Sequence, residues 1–232
     1  PEIVRRLQAK YGDVAANLGQ HRPPVPRIAS GILELDVATG GGFPRGHMSV
    51  IWGQNNTGKS TLLYTTIATF LRENPDKMAA LMDLENNYDS RYGKALGIDE
   101  KRLILLEPDF GEQAGDMVCE IINEAPEIGL IGMDSLAQMM PGVEDEKDLE
   151  ESVMGRSGLL IARFCRKVTN RLRLARAKEG NLPTLICINQ LREKMGVTRG
   201  DPSKMPGGQS PGFYASTVVR LFGGKEIIDP SV

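Results

Sequence analysis

The sequence predicts an α/β domain: a mostly parallel, twisted β-sheet flanked by helices, preceded by a short N-terminal helix. Three observations carry this. From residue 47 to residue 222, apolar runs of strand length alternate with stretches of helical spacing, the pattern of strands joined by helical crossovers. The strands are apolar almost throughout, as expected when both sheet faces are covered. One strand runs into a Gly-rich turn, "GQNNTGKS", that opens a helix, and helix N-termini of this kind hold phosphate.

The elements follow in order. "EIVRRLQAKY" (Glu2–Tyr11) reads as a short helix, and "HRPPVPR" (His21–Arg27) as a Pro-rich connector. Residues 1–26 are therefore expected to be an N-terminal helix and linker, and 27–232 the core. Gly and Pro punctuate the apolar segment "IASGILELDVATGGGFPRG". "HMSVIWG" is the first clear strand, and a helix runs from Lys59 to near Glu73. "MAALMDLE" reads as a strand, "DSRYGKALG" as a short helix and "RLILLEP" as a strand. In "GEQAGDMVCEIINEA", Met117, Val118, Ile121 and Ile122 recur at near-helical spacing. "IGLIGMDS" is a further strand. An acidic linker precedes the helix "SGLLIARFCRKVTNRLRLARAKEG", where Leu160, Phe164, Val168 and Leu172 form an apolar stripe. "TLICINQ" and "TVVRLF" are strands on either side of a long loop, Arg192–Ser216, with five Gly and three Pro. Loops this long inside compact domains are usually functional or disordered.

Composition narrows the class. The chain has 232 residues, 41% hydrophobic and 25% charged, an ordinary globular balance. No run approaches the roughly 20 apolar residues of a membrane helix, and no signal-peptide pattern opens the chain. It begins at Pro1 rather than Met, so a preceding piece is expected to be missing. Cys119, Cys165 and Cys187 lie in apolar segments without metal-ligand spacing, and read as reduced core residues of a cytosolic protein. The formal net charge is −2, but it is unevenly distributed. Pro141–Gly155 holds six acids and one Lys, whereas Arg156–Lys204 holds twelve Lys/Arg and three acids. Such a sign change fits either a local anion-binding surface or a solvated helix face.

"GQNNTGKS" matches the phosphate-loop pattern G-x-x-x-x-G-K-[ST] in its proper strand–loop–helix context. Gly53 and Gly58 free the backbone to wrap around phosphate, with Gln54, Asn55, Asn56 and Thr57 supplying N–H groups between them. Lys59 brings charge to the β- and γ-phosphates, Ser60 a hydroxyl to Mg²⁺, and Thr61 completes the turn. ATP and Mg²⁺ are the expected ligands. Asp134, ending the strand "LIGMD", is the expected second group on the Mg²⁺ side. Ser135 either assists it or serves the turn. Glu85, just past an apolar strand, is the expected base for the attacking water, with Asp83 the competing candidate.

These motifs stand in a known order. "RIASGILELDVATGGGFPRGHMSVIWGQNNTGKST" resembles the RecA recombinase core, including its lead into the phosphate loop. "MDLENNYDSRYGKALGID" resembles the family segment with the catalytic Glu and an adenine-stacking Tyr; "GEQA" and "IGMDSLA" match as well. "CINQLREKMGVTRGDP" followed by "GGQSPGFYAS" resembles the family's sensor Gln and second DNA-binding loop. The resemblance runs from about residue 3 to about residue 222, with many substitutions, and is to a diverged relative of phage type.

The resemblance implies particular roles. Glu85 is the catalytic carboxylate, Tyr92 stacks on adenine with Asp89 beside it, and Gln190 senses the γ-phosphate. Pro141–Gly158 corresponds to the first DNA loop, with Met154, Gly155 and Arg156, and Arg166 beyond it. In the second loop Arg192, Lys194, Arg199 and Lys204 meet phosphates, Met195 meets bases, and Gly196, Gly207 and Gly208 allow reshaping. That loop would be mobile without DNA and ordered with it. Phe213 couples neighbouring subunits, and the first helix docks on an adjacent protomer. The chain ends at Val232, before the segment where relatives supply two lysines to a neighbour's nucleotide and before their C-terminal domain, which puts strand exchange by this chain alone in question. The expected function is a DNA-dependent ATPase that forms helical filaments on single-stranded DNA and pairs it with homologous duplex, in the cytoplasm of a bacterial or phage-infected cell. The competing readings are a hexameric ring motor, a non-catalytic recombination mediator and, weakest, a small-molecule kinase. The Arg192–Ser216 loop favours the recombinase over the ring.

Overall fold

The computed structural model describes residues 2–12, 24–142, 152–177, 182–193, 203–204 and 206–224. The elements in chain order are α1 (Glu2–Tyr11), β1 (Arg27–Ile28), α2 (Leu33–Thr39), β2 (Phe43–Pro44), β3 (Met48–Gly53), α3 (Lys59–Glu73) and β4 (Met78–Asp83). Then come α4 (Ser90–Ala95), β5 (Leu103–Leu106), α5 (Gly111–Glu124), β6 (Ile128–Asp134), α6 (Ser152–Arg176) and β7 (Thr184–Gln190). The last are β8 (Arg192–Glu193), β9 (Ser203–Lys204), α7 (Ser210–Tyr214) and β10 (Thr217–Leu221).

Six strands form one sheet in the order β10-β3-β7-β6-β4-β5, every neighbouring pair parallel. Parallel neighbours need crossovers, and the strands alternate their side chains between two cores. Ile51, Leu81, Leu130, Ile186 and Ile188 pack on one face with Leu63, Ile67 and Phe70 of α3. Val50, Met82, Ile131, Met133 and Cys187 pack on the other, against Val118 and Ile122 of α5 and Ile161, Phe164 and Val168 of α6. Covering both faces explains the unbroken apolar runs in the strands. All three cysteines are free and buried, and burial pushes the Cys165 thiol up to about 12, which leaves it inert packing. Among the described residues no helix is long and apolar enough to cross a membrane.

The expected parallel α/β sheet is present, with four local differences. The apolar side of α6 centres on Ile161, Phe164, Cys165, Val168 and Leu172; Leu160 is only partly buried at its margin. The helix starts at Ser152, so Met154, Gly155 and Arg156 lie on α6 rather than in a loop reaching Gly158. No Pro interrupts this stretch, and Gly155 and Gly158 each cost only about 0.5–1 kcal/mol in a helix. The Arg192–Ser216 loop contains secondary structure: β8 pairs antiparallel with β9, and α7 precedes β10. Elements of two to five residues are too short to show periodicity, and Pro211 in the first turn of α7 suits a helix start. Helix α2 and the β1–β2 ladder also lie in the Gly/Pro-punctuated segment, where no element was expected.

Candidate nucleotide site

The site lies at the carboxyl ends of the central strands, where ligands bind in open α/β sheets. Register sets its parts level with one another. Gly53 at the end of β3 pairs with Gln190 at the end of β7. Asp83 at the end of β4 pairs with Asp134 at the end of β6. Along the order β3-β7-β6-β4, the phosphate loop therefore has the sensor candidate on the adjacent strand and the two acids on the strands beyond it, with β10 on its other side.

The loop needs its glycines for different reasons. A Cβ on Gly53 would lie 2.5 Å from the Leu221 carbonyl oxygen, so β10 closes directly on the loop. Gly58 adopts φ 85° at the N-cap of α3, and a Cβ there would meet no protein atom within 4 Å. The first is a packing requirement; the second leaves open space beside a helix N-terminus. Asn56 also adopts positive φ, 60°, which Asn tolerates better than most residues.

Lys59 is 8% exposed, and its Nζ donates to the Gln54 carbonyl at 2.6 Å, a neutral partner. Burial lowers its pKa, while Asp134 and Glu85 raise it. Ser60 Oγ donates to Asp134 Oδ2 at 2.7 Å. Burial, first, pushes the Asp134 carboxyl up to about 6; Ser60's hydrogen bond opposes this, Glu85 and Asp83 add to it, and Lys59 lowers it. The buried ammonium, the open space beside Gly58 and the hydroxyl–carboxylate oxygen pair fit a phosphate chain with Mg²⁺. Lys59, Ser60 and Asp134 are the side chains that would hold them.

Glu85 follows β4 and is half-buried. Its Oε1 accepts from Ser135 Oγ at 2.6 Å and from Gln190 Nε2 at 2.6 Å. Asn87 Nδ2 lies 3.4 Å from its Oε2. Asp83 is committed elsewhere: its carboxylate accepts from the Tyr88 N–H at 2.8 Å and the Glu85 N–H at 3.3 Å, and holds the turn. Tyr92 is 42% exposed, with its hydroxyl 2.7 Å from Thr61 Oγ1 and its edge against Tyr64. Asp89 caps α4 by accepting from the Arg91 N–H at 2.8 Å, which fixes the helix that carries Tyr92.

The sequence-based candidates thus converge around Gly53–Thr61, with Glu85, Tyr92, Asp134 and Gln190 gathered there. Arg156 and Arg166 are exposed on α6. Gly207 and Gly208 take φ 80° and 64°; a Cβ on Gly207 would meet Ile161 Cγ2 of α6, whereas Gly208 faces open space. Phe213 is 82% exposed, its ring edge-on to Tyr214. For Met154, Arg192 and Lys204 only the backbone is described, and Lys194, Met195, Gly196 and Arg199 lie outside the described residues. Sequence reasoning missed Asn189, whose Nδ2 donates to the Pro206 carbonyl at 3.0 Å and fastens the far end of the loop to β7. The available signal was a polar residue inside an otherwise apolar strand.

Comparisons with known proteins agree with this geometry. Residues 2–229 match the profile of the RecA N-terminal domain. The chain is 36% identical to Protein RecA of Mesomycoplasma hyopneumoniae strain 7448 over 223 residues, 95% of this chain and 63% of that protein. It is 37% identical to Protein RecA of Nostoc sp. strain PCC 7120 over 221 residues, 94% of this chain and 59% of that protein. It therefore spans about three fifths of the length of these relatives. A match that spans the sheet, the phosphate loop and the strand ending at Gln190 assigns the protein: this chain belongs to the RecA family.

Proposed function

We propose that this chain is the ATPase core of a recombinase. In this reading it binds single-stranded DNA within a helical filament, pairs it with homologous duplex, and hydrolyses ATP under control of the DNA. It works without a membrane, in the cytoplasm of a bacterial or phage-infected cell. The observation that carries the reading is the Gln190–Glu85 hydrogen bond, because it joins the candidate base to the strand that leads into the basic loop.

Each residue has its own task. Lys59 and the backbone of Gly53–Ser60 orient the phosphate chain, while Ser60 and Asp134 hold Mg²⁺, which offsets phosphate charge. Glu85 takes a proton from the attacking water as the bond to the ADP leaving group breaks. Tyr92, held by Thr61, offers an exposed ring to adenine. Gln190 exchanges its partner Glu85 for the γ-phosphate side of the site, and so couples the nucleotide to the loop. Arg156, Arg166 and the loop cations meet DNA phosphates without reading sequence. Phe213 and α1, whose Ile3, Leu7 and Tyr11 are all exposed, dock on neighbouring protomers. Residues 1–26 then act as a subunit connector and 27–232 as the core.

The test is ATP hydrolysis with and without single-stranded DNA, with electron microscopy of the same samples. DNA-stimulated turnover and helical filaments are expected. Unstimulated turnover with closed rings would overturn the reading in favour of a ring motor.

A further inference from the structure

We infer that Ser135 is a positioning residue for ATP hydrolysis, the fixed half of a two-donor clamp on Glu85. The inference rests on Glu85 being the base. Ser135 stands at the N-cap of the turn Leu136–Gln138, where a serine hydroxyl ordinarily accepts from an N–H of its own turn. It makes no such cap bond here. Instead its Oγ donates to Glu85 Oε1 at 2.6 Å, reaching across 50 residues of sequence. Ser135 is completely buried, so the hydroxyl has no water to exchange with.

The clamp leaves the two carboxylate oxygens unequal. Oε1 receives two hydrogen bonds of 2.6 Å, one from Ser135 after β6 and one from Gln190 at the end of β7. A carboxylate oxygen has two lone pairs, so Oε1 is fully engaged. Oε2 has the 3.4 Å contact of Asn87, at the long limit for a hydrogen bond. Oε2 is the less engaged oxygen and the one assigned to the proton of the attacking water, because the Ser135 bond stays on Oε1 after Gln190 leaves it for the nucleotide. The two donors differ in how firmly they are placed. Gln190 is half-buried at a strand end that opens into the long loop, whereas Ser135 is buried beside the paired ends of β4 and β6. When Gln190 turns to the nucleotide, Ser135 keeps Glu85 aimed.

The experiment measures kcat and KM for ATP, with thermal melting, for the parent chain, Ser135→Ala, Glu85→Gln and the double variant. Ser135→Ala should lower kcat about 10- to 100-fold, the scale of a misplaced catalytic group. Its KM should stay within about threefold. The double variant should be no slower than Glu85→Gln, because the serine acts through the carboxylate. Ser135→Cys, close in volume but a weaker donor, serves as the second variant where Ser135→Ala does not fold, with a loss in the same direction. Parent-like kcat in the serine variant overturns the inference. So does a double variant slower than Glu85→Gln by the whole Ser135→Ala factor, or a rise in KM that tracks a loss of melting temperature. If Glu85→Gln itself keeps the parent rate, the reading of the base fails; if only the serine variant does, that reading stands and the positioning role is lost.

Discussion

Gln190 Nε2 lies 2.6 Å from Glu85 Oε1 and joins residues 105 positions apart in the chain. A candidate base held by an amide two strands away in the sheet can be tested from both ends. Glu85→Gln should lower ATP turnover by at least about 10²-fold, with ATP affinity within a few fold, read by steady-state hydrolysis and by equilibrium binding. Gln190→Ala should leave unstimulated turnover within a few fold and abolish its stimulation by single-stranded DNA. Stimulation that survived in Gln190→Ala would show that the coupling runs elsewhere.

The Asp134 carboxyl is pushed up to about 6, chiefly by burial, whereas an unfolded Asp titrates near ~3.9. Between these values the folded protein retains a proton that the unfolded chain has lost, so this group's contribution to stability falls as pH rises through that window. Above it the folded state carries an ionised, buried carboxylate. Asp134→Asn should therefore stabilise the metal- and nucleotide-free protein at pH 7.5 by a few kcal/mol at most, on the order of the two-unit shift. The gain should disappear as pH approaches about 4. Thermal melting in chelator across that range measures it, and the same variant should lose hydrolysis. No gain at pH 7.5 would show that the carboxylate is not under strain.

Gly207 and Gly208 are adjacent and both left-handed, but their surroundings differ. A side chain on Gly207 meets Ile161 of α6, and one on Gly208 meets nothing. Gly208→Ala should cost about 1–2 kcal/mol for the backbone conformation alone. Gly207→Ala should cost more, because Ile161 must also move. Denaturant unfolding of the two variants compares them directly; equal losses would contradict the packing.

Phe213 is 82% exposed, so Phe213→Ala should leave the stability of the isolated chain within about 0.5 kcal/mol. Self-association, read by sedimentation, should weaken. A variant that lost stability but associated as before would remove Phe213 from the subunit contact.

The sheet was legible in the sequence because its strands are apolar almost throughout and its helices carry clear stripes; Val168 and Leu172 fall on the buried side as expected. The nucleotide site was legible because a phosphate loop is a local motif, eight residues from Gly53 to Ser60. What escaped was set by contacts between distant segments. Nothing near Ser135 indicates that its hydroxyl leaves its own turn for Glu85, and nothing near Asp83 indicates that both its oxygens are spent on backbone N–H groups. Elements as short as β8 and β9 escaped for another reason: two residues cannot express a period.

The bond from Asn189 to the Pro206 carbonyl has a consequence for variation. The chain that leaves β7 at Leu191 is held again at Pro206 by the same strand. Doubling the length of a flexible closed loop costs only about 0.6 kcal/mol, and the anchor Asn189 is the residue next to Gln190. Segments of other length or composition grafted between Leu191 and Pro206 would keep both anchors on β7, and with them the position of Gln190.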